Sequence, residues 1–387
     1  MDQDPIIIIG TGLAGYSVAR EFRKHDKQTP VVLITRDDGA SYYKPDISEA
    51  KAKGRDPAEL VQKTAEEMAE MLDVVVRTHE QVETIQPEAH QIQLAGETLT
   101  YDKLVLAWGA EPVVLNLCGD ATDDIHKVNH LADYRIFRDN LPADAHVAVL
   151  GAGLIGCEFA NDLTEAGHPV TVADPAAWPL SQLIPQAAGE AVQNALSHAG
   201  VTWHLGHAAT GVHHGEDGKY RITLDDETVV EADIVLSAVG LKASVQLAED
   251  AGLSVDRGIV VDRTLRTSDA DIYALGDCAE VDGHWRPYVA PLMQCARTLG
   301  KTLAADEDDT PGQVTYPTLP IIIKTHACPV IAYPPVDGHG EWQVEGDGSA
   351  LEATCRDKNG NMVGFVLTGE ATNKRRDYIK DAPALMG

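Results

Sequence analysis

Residues 147–160 read VAVLGAGLIGCEFA, and residues 6–19 read IIIIGTGLAGYSVA. In each stretch an apolar run suited to a strand buried on both faces leads through a glycine-rich turn into a helix-like segment. Gly10, Gly12 and Gly15 have the spacing G-x-G-x-x-G, and so do Gly151, Gly153 and Gly156. The first glycine of such a set makes a tight turn, the second lets a pyrophosphate approach the backbone, and the third lets helix and strand pack closely. The helix N-terminus then offers free N–H groups and partial positive charge to phosphates. That places Thr11, Leu13 and Ala14 around one dinucleotide, and Leu154 and Ile155 around another. A single string of this kind is a weak signal, but two of them, each set between strand and helix, imply two dinucleotides on one chain.

The flanking pattern supports βαβ units on both sides. In the first unit it predicts strands at 5–9 and 31–35 and a helix at 13–25. Asp56-Pro57 has helix-start chemistry, so a helix is expected through 58–71. Short strands follow near 74–76, 82–85, 91–94, 97–100 and 103–107. The second unit predicts strands at 145–150, 170–173, 201–204 and 233–236, helices at 155–165 and 187–198, and a hairpin at 219–231. A late strand at 272–275 and a helix at 292–305 precede Asp306-Glu307-Asp308-Asp309-Thr310-Pro311-Gly312, which reads as a surface linker. Beyond it come short strands (321–324, 342–345, 351–356, 362–367) and a basic terminal helix. The expected fold class is therefore α/β: two Rossmann-like dinucleotide-binding domains plus a small C-terminal α+β domain. The divisions are 1–112 with 240–312, 113–239, and 313–387.

A chain of 387 residues can bury the cores that such a division needs. No apolar run approaches the length of a membrane span, and the acidic start MDQDP lacks the basic region of a signal peptide. The six cysteines are scattered, with neither a CxxC pair nor a zinc spacing. They read as reduced, mostly buried thiols of a cytoplasmic protein. A formal net charge of −29 argues against nucleic-acid binding, which needs cations to neutralise phosphates. His213-His214, in the polar stretch HHGEDG, reads as exposed and not as a metal site; no metal is expected.

An acidic residue about 20 positions beyond such a turn bonds a ribose hydroxyl. In the second unit it is Asp174, ending VTVAD. A carboxylate there favours NADH over NADPH, whose 2′-phosphate it would repel, and Pro175-Ala176-Ala177-Trp178 supplies no arginine. In the first unit the strand ends in Arg36-Asp37-Asp38. Asp37 takes the ribose role, the competing reading being a solvated turn.

With these motifs in place, the chain resembles the FAD-dependent pyridine-nucleotide oxidoreductases of the two-dinucleotide, glutathione-reductase-like fold. LVLAWGAEP (104–112) is similar to the family's A-x-G-x-x-P crossover, with Trp108 where threonine is usual. DIVLSAVG (233–240) is similar to the return crossover, and TSDADIYALGDCAEV (267–281) to the second FAD fingerprint. By this resemblance Ala107, Gly276 and Asp277 are assigned to FAD, with Asp277 on the ribityl chain, and Gly240 to NAD. The disulfide reductases of this fold carry a cysteine pair against the flavin. None exists here, and Cys278 has no resolving partner, so electrons are expected to leave the flavin directly.

Among these proteins the chain most resembles the rubredoxin–NAD reductases, with ferredoxin reductases of oxygenase systems next. DDGASYYKP, GAGLIGCEFANDL, GIVVDRTLRTS, KTHACP and GFVLTG carry that likeness into the C-terminal region. It implies Lys44 beside the flavin ring, where its charge favours a reduced, anionic flavin. It also implies Val82 against the adenine, Glu158 at the flavin–nicotinamide junction, and Val289 and Lys324 near the ring. The implied activity is hydride transfer from NADH to FAD, then single electrons to rubredoxin or a similar small iron–sulfur carrier. Two alternatives stay open: a ferredoxin as acceptor, and an NADH-sensing flavoprotein with slow turnover. Rubredoxins are usually acidic, so a positive patch is needed for steering. Its candidates are Lys374, Arg375 and Arg376 with Arg297 and Lys301, against the plain reading of a solvated basic helix.

Overall fold

The computed structural model describes residues 4–306, 310–336 and 338–387; the expected linker at 306–312 lies partly outside them, at 307–309. The two apolar runs are the middle strands of two parallel sheets. In the first, Ile6–Ile9 lies between Lys103–Leu106 and Val31–Ile34, with Ile272–Ala274 and Val75–Arg77 outermost. In the second, Val147–Leu150 lies between Ile234–Ser237 and Val170–Asp174, with His126–Lys127 and Val201–Leu205 outermost. Parallel strands must be covered on both faces. Accordingly Ile6, Ile7, Ile8, Val147 and Val149 are all within 2% of full burial.

In each sheet the chain runs outward from the glycine strand on one side and later adds the neighbouring strand on the other, the short edge strand His126–Lys127 of the second sheet having been laid down first. Strand order therefore reverses beside Ile6–Ile9 and beside Val147–Leu150, and such a reversal opens a crevice at the carboxyl ends of the two strands. Gly10 and Ala107 sit at one crevice, Gly151 and Ala238 at the other. The two chain crossings between the sheets pair with each other as an antiparallel ribbon, Ala110–Pro112 against Leu241–Ala243. Trp108, at the foot of this ribbon, pins it by donating its indole N–H to the Ser244 carbonyl at 2.7 Å.

The C-terminal part is a five-stranded antiparallel sheet ordered Ile321–Ile323, Val330–Tyr333, Met362–Thr368, Ala350–Arg356, Glu341–Asp347, followed by a 3-10 turn (Gly369–Lys374) and helix Arg375–Asp381. Its inner face does not close on itself. Ile323, Val330, Ala353 and Val366 belong to one core with Val147, Leu163, Val192 and Ile234 of the second sheet. The C-terminal sheet and the second parallel sheet are thus one packed body.

Three expectations are corrected. The helix at 58–71 is broken: Pro57–Leu60 is a single 3-10 turn, Val61–Lys63 is a strand paired with Ser41–Tyr42, and the α-helix is only Ala65–Leu72. A second capping box explains the restart, because Thr64 accepts from Glu67 N–H while the Glu67 carboxylate accepts from Thr64 N–H. Several elements escaped the pattern, among them helix Leu131–Asp139, strand Ala209–His214, the short helix Gln246–Asp250 and strand Val330–Tyr333. The late helix begins at Val289, one turn early, so its N-terminus reaches the cavity described next.

Candidate functional site

Both glycine turns are built alike to within a few degrees. Gly10 and Gly151 have φ of +113° and +110°, a region open to glycine. A Cβ on either would lie 2.4 Å from the Ala107 carbonyl oxygen or 2.6 Å from that of Ala238. A Cβ on Gly15 or Gly156 would lie 1.9 Å from the carbonyl oxygen of Gly10 or Gly151. These four positions are glycine so that the turn can close and the helix can seat. Gly12 and Gly153 differ, since a Cβ there would meet nothing within 4 Å. Packing does not require them to be glycine; the open space in front of them is a cradle, and it fits the pyrophosphate of a dinucleotide at a helix N-terminus.

One cavity of about 1100 Å³ joins the two crevices. The first turn contributes Gly10, Thr11, Gly12, Leu13 and Ala14 to its wall; Asp37, Lys44, Val82, Ala107, Asp277 and Val289 line it further on. From the second unit come Leu154, Ile155, Glu158 and Gly240, and from the C-terminal sheet Lys324. Gly15, Gly276, Gly151, Gly153, Gly156 and Asp174, also expected at the site, do not line this cavity. The Asp174 carboxylate accepts from Ala152 N–H at 2.6 Å and Ala176 N–H at 2.7 Å, so it orients the second turn. Asp37 accepts from the Thr35 hydroxyl at 2.7 Å and Gly39 N–H at 3.0 Å.

Two opposite charges, Lys44 and Asp277, lie on the cavity wall and act on each other. Burial pushes the Lys44 ammonium down from its ordinary value while Asp277 and Asp133 pull it up. Burial pushes the Asp277 carboxyl up while Lys44 holds it down. Each partly offsets the cost of burying the other, in a place that favours neither charge. Cys278, next in sequence, is fully buried; its thiol donates to the carbonyls of Leu106 and Leu275, and burial pushes it up to about 12. A thiol held that way is not a nucleophile at neutral pH. All six cysteines are free.

The helix that starts at the second turn, Leu154–Glu165, carries a buried polar face that periodicity alone did not reveal. Glu158, Asn161 and Asp162 are each 2% exposed. Glu158 accepts from the Ser48 hydroxyl at 2.5 Å and Lys324 N–H at 2.9 Å, with the Lys324 ammonium 3.2 Å away. Asn161 accepts from Ala327 N–H at 3.0 Å. Asp162 accepts from Ala52 N–H at 2.9 Å and Lys51 N–H at 3.2 Å. One helix thus grips the segment that follows Lys44 and the segment that carries Lys324.

Desolvation raises the Asp162 pKa from 3.8 to about 6, more than its two N–H donors can offset. The native state therefore holds this proton more tightly than the unfolded chain. The stability that Asp162 contributes is greatest when protonated and falls as pH rises from about 4 to about 6, by about 3 kcal/mol, then levels. In urea unfolding, the stability of wild type relative to D162N is expected to fall across that window. A difference that stays flat from pH 4 to 7 would refute this.

The arginines and lysines proposed for docking lie elsewhere. Arg375 and Arg376 line a second cleft of about 500 Å³, with Ile322, Pro329, Val330, Ile331, Thr372 and Asn373. Ile322, 55% exposed, lies on the rim of both this cleft and the large cavity. Lys374 is tied to Glu352 at 2.5 Å, which also accepts from the Tyr378 hydroxyl. Arg297 and Lys301 are exposed on helix Val289–Leu303 and line neither space.

Comparison with known proteins agrees with this architecture. Residues 313–382 match the model of the rubredoxin binding C-terminal domain. The chain is 46% identical to the rubredoxin-NAD(+) reductase of Alcanivorax borkumensis over 99% of both chains, and 43% identical to that of Acinetobacter baylyi over 96% of both. Among solved structures, the ferredoxin reductase for the CYP199A2 system from Rhodopseudomonas palustris superposes with a TM-score of 0.87 at 26% identity, covering 98% of this chain and 96% of that one. Residues 4–300, which carry both glycine turns, match the model of the pyridine nucleotide-disulphide oxidoreductases, and the chain belongs to that family.

Proposed function

We propose that the chain is an FAD-containing, NADH-dependent reductase whose acceptor is rubredoxin. The observation that carries this is the single cavity onto which the wall of Gly12, the helix behind Gly153 and Lys324 of the C-terminal sheet all converge. The first cradle would hold FAD and the second would admit NADH; when bound, FAD would supply the chemistry that links a two-electron donor to a one-electron acceptor. The residues of the chain bind, orient and balance charge. Thr11, Gly12 and Leu13 offer backbone N–H groups to the FAD pyrophosphate. Asp37 takes the adenine-side ribose, Val82 the adenine edge and Asp277 the ribityl chain. Lys44 places a positive charge where the ring gains electrons. Gly153, Leu154 and Ile155 receive NADH, and the negative charge of Asp174 disfavours a 2′-phosphate. Glu158 neutralises Lys324 and keeps both from drawing water to the junction. No sulfur relay intervenes, since Cys157 and Cys278 are buried and unpaired.

The acceptor docks over the cleft at Arg375 and Arg376, beside exposed Ile322. With a net charge of −29 overall, an acidic partner needs such a local positive patch. Lys374, already paired with Glu352, contributes less. The double variant R375A/R376A is expected to slow acceptor reduction about tenfold at low salt and less at high salt, as screening removes the steering. The rate at which NADH reduces the flavin stays the same. Equal rates for the variant and wild type with rubredoxin would remove the cleft from the reading. Stopped-flow reduction by NADH and by NADPH, followed by turnover with rubredoxin and with a [2Fe–2S] ferredoxin, tests the whole assignment; faster turnover with ferredoxin would overturn the choice of acceptor. No helix among the described residues is long and apolar enough to cross a membrane. Six unpaired thiols suit a reducing compartment, so we place the enzyme in the cytoplasm.

A further inference from the structure

Lys44 finds its hydrogen-bond acceptor in a side chain from the other dinucleotide unit. Its ammonium donates to Asn129 Oδ1 at 2.7 Å. Asn129 is 3% exposed, and its amide nitrogen donates to the Ala110 carbonyl at 2.9 Å. A carbonyl can only accept, so this bond fixes which amide atom is which and leaves the oxygen for Lys44. The same nitrogen lies 3.2 Å from His130 Nε2, which must then accept. Burial and then the Lys44 charge push the His130 pKa down, against a pull upward from Asp133, which disfavours a second positive charge on the imidazole beside the ammonium.

The loop carrying Asn129 is itself held. The Asp133 carboxylate accepts from Asn129 N–H at 3.0 Å and His130 N–H at 2.8 Å, at the start of helix Leu131–Asp139. Leu131 N–H donates to the Tyr42 hydroxyl at 3.2 Å, two residues before Lys44. Ala110, at the other end of the Asn129 amide, is the first residue of the ribbon that connects the two dinucleotide units. A long, flexible lysine is thereby fixed at one point on the cavity wall by a rigid amide anchored to the crossover.

We propose that Asn129 is a positioning residue for the reductase, locking the Lys44 ammonium against the cavity wall and coupling it to the interdomain crossover. The inference rests on the reading of this cavity as the FAD site. Freed from Asn129, the lysine would spread over several rotamers, and its charge would act more weakly on the reduced form of the cofactor. Removing the amide should therefore lower the midpoint potential of the bound FAD.

The test is a double-mutant cycle on the FAD-loaded protein with Asn129→Leu, Lys44→Met and the pair, read as midpoint potential by dye equilibration and as FAD dissociation. N129L alone is expected to lower the potential by about 30 mV, the two-electron equivalent of a tenfold change in the reduction equilibrium. In the K44M background the same substitution should change it little. An equal shift in both backgrounds, or none in either, would overturn the proposal, because a residue that only packs would act without regard to Lys44. Asn129→Ser, run through the same cycle, answers if N129L does not fold. Wild type that takes up no FAD would instead sink the cofactor assignment and leave the geometry of Asn129 untouched.

Discussion

Replacing Gly12 by valine is expected to yield a colourless protein, and replacing Gly153 by valine a yellow one that NADH no longer reduces. The two glycines occupy the same place in the two turns, with φ of −68° and −72°, ordinary values for any residue. A Cβ at either meets no protein atom within 4 Å. The new side chain therefore enters the cradle and not the core, and the fold has no reason to resist it. A bound pyrophosphate does, because a branched side chain stands where its oxygens reach the helix N–H groups. A loss of affinity of at least 100-fold, about 2.8 kcal/mol, is the expected scale for each site. The check is the flavin absorbance of purified G12V and its FAD titration, then the rate of bleaching of G153V by NADH. Thermal unfolding of each apoprotein should match that of wild-type apoprotein. A fully yellow G12V would mean that the first cradle holds something else. In contrast, alanine at Gly15 or Gly156 would collide with backbone oxygen at 1.9 Å and harm the fold before any ligand is present.

That contrast also shows how far residues alone could carry the reading. Apolar runs and glycine spacing are local signals, so the paired strands and both turns were legible, down to Gln91–Leu94 and Glu97–Thr100 in a small antiparallel sheet. The extent of the helix after Asp56-Pro57 was not legible from propensity, because Val61–Lys63 pairs with Ser41–Tyr42 twenty residues away. Only Thr64 with Glu67, a second capping box inside the expected helix, marked the break. Helix Leu131–Asp139 escaped for a related reason: its start is signalled by Asp133 holding two backbone N–H groups, and its apolar stripe of Leu131, Tyr134 and Phe137 is set among Asp133, Arg135, Arg138 and Asp139 in a short, polar segment. Site residues supplied by resemblance, such as Lys44, Glu158 and Lys324, do line one cavity. Their supports Ser48, Asn129 and Asp162 have no motif. Such residues serve by accepting or donating across more than 80 positions of chain, and nothing in a linear string records that.

The second large effect is expected at one of these supports' centres. Glu158→Ala should destabilise the whole protein by about 3–5 kcal/mol, the scale for breaking a buried ion pair from one side. The carboxylate is 2% exposed and serves three donors, the Ser48 hydroxyl, the Lys324 backbone N–H and the Lys324 ammonium. Without it the ammonium keeps the Pro45 carbonyl and the Ser48 hydroxyl as acceptors, and the nearest remaining carboxylate is Glu49 at 3.9 Å. The partly buried Lys324 backbone N–H also loses its acceptor, which adds a cost of its own. The three donors come from the segment following Lys44 and from the C-terminal sheet, while Glu158 stands on the helix of the second glycine turn. Its loss should accordingly loosen all three parts together and appear as a lower unfolding midpoint with faster FAD release. Glu158→Gln, which keeps an acceptor oxygen but not the charge, should recover part of the stability. If E158A unfolds within 1 kcal/mol of wild type, then water enters the junction freely, and the dry, charge-balanced contact between the nicotinamide side and Lys324 must be abandoned.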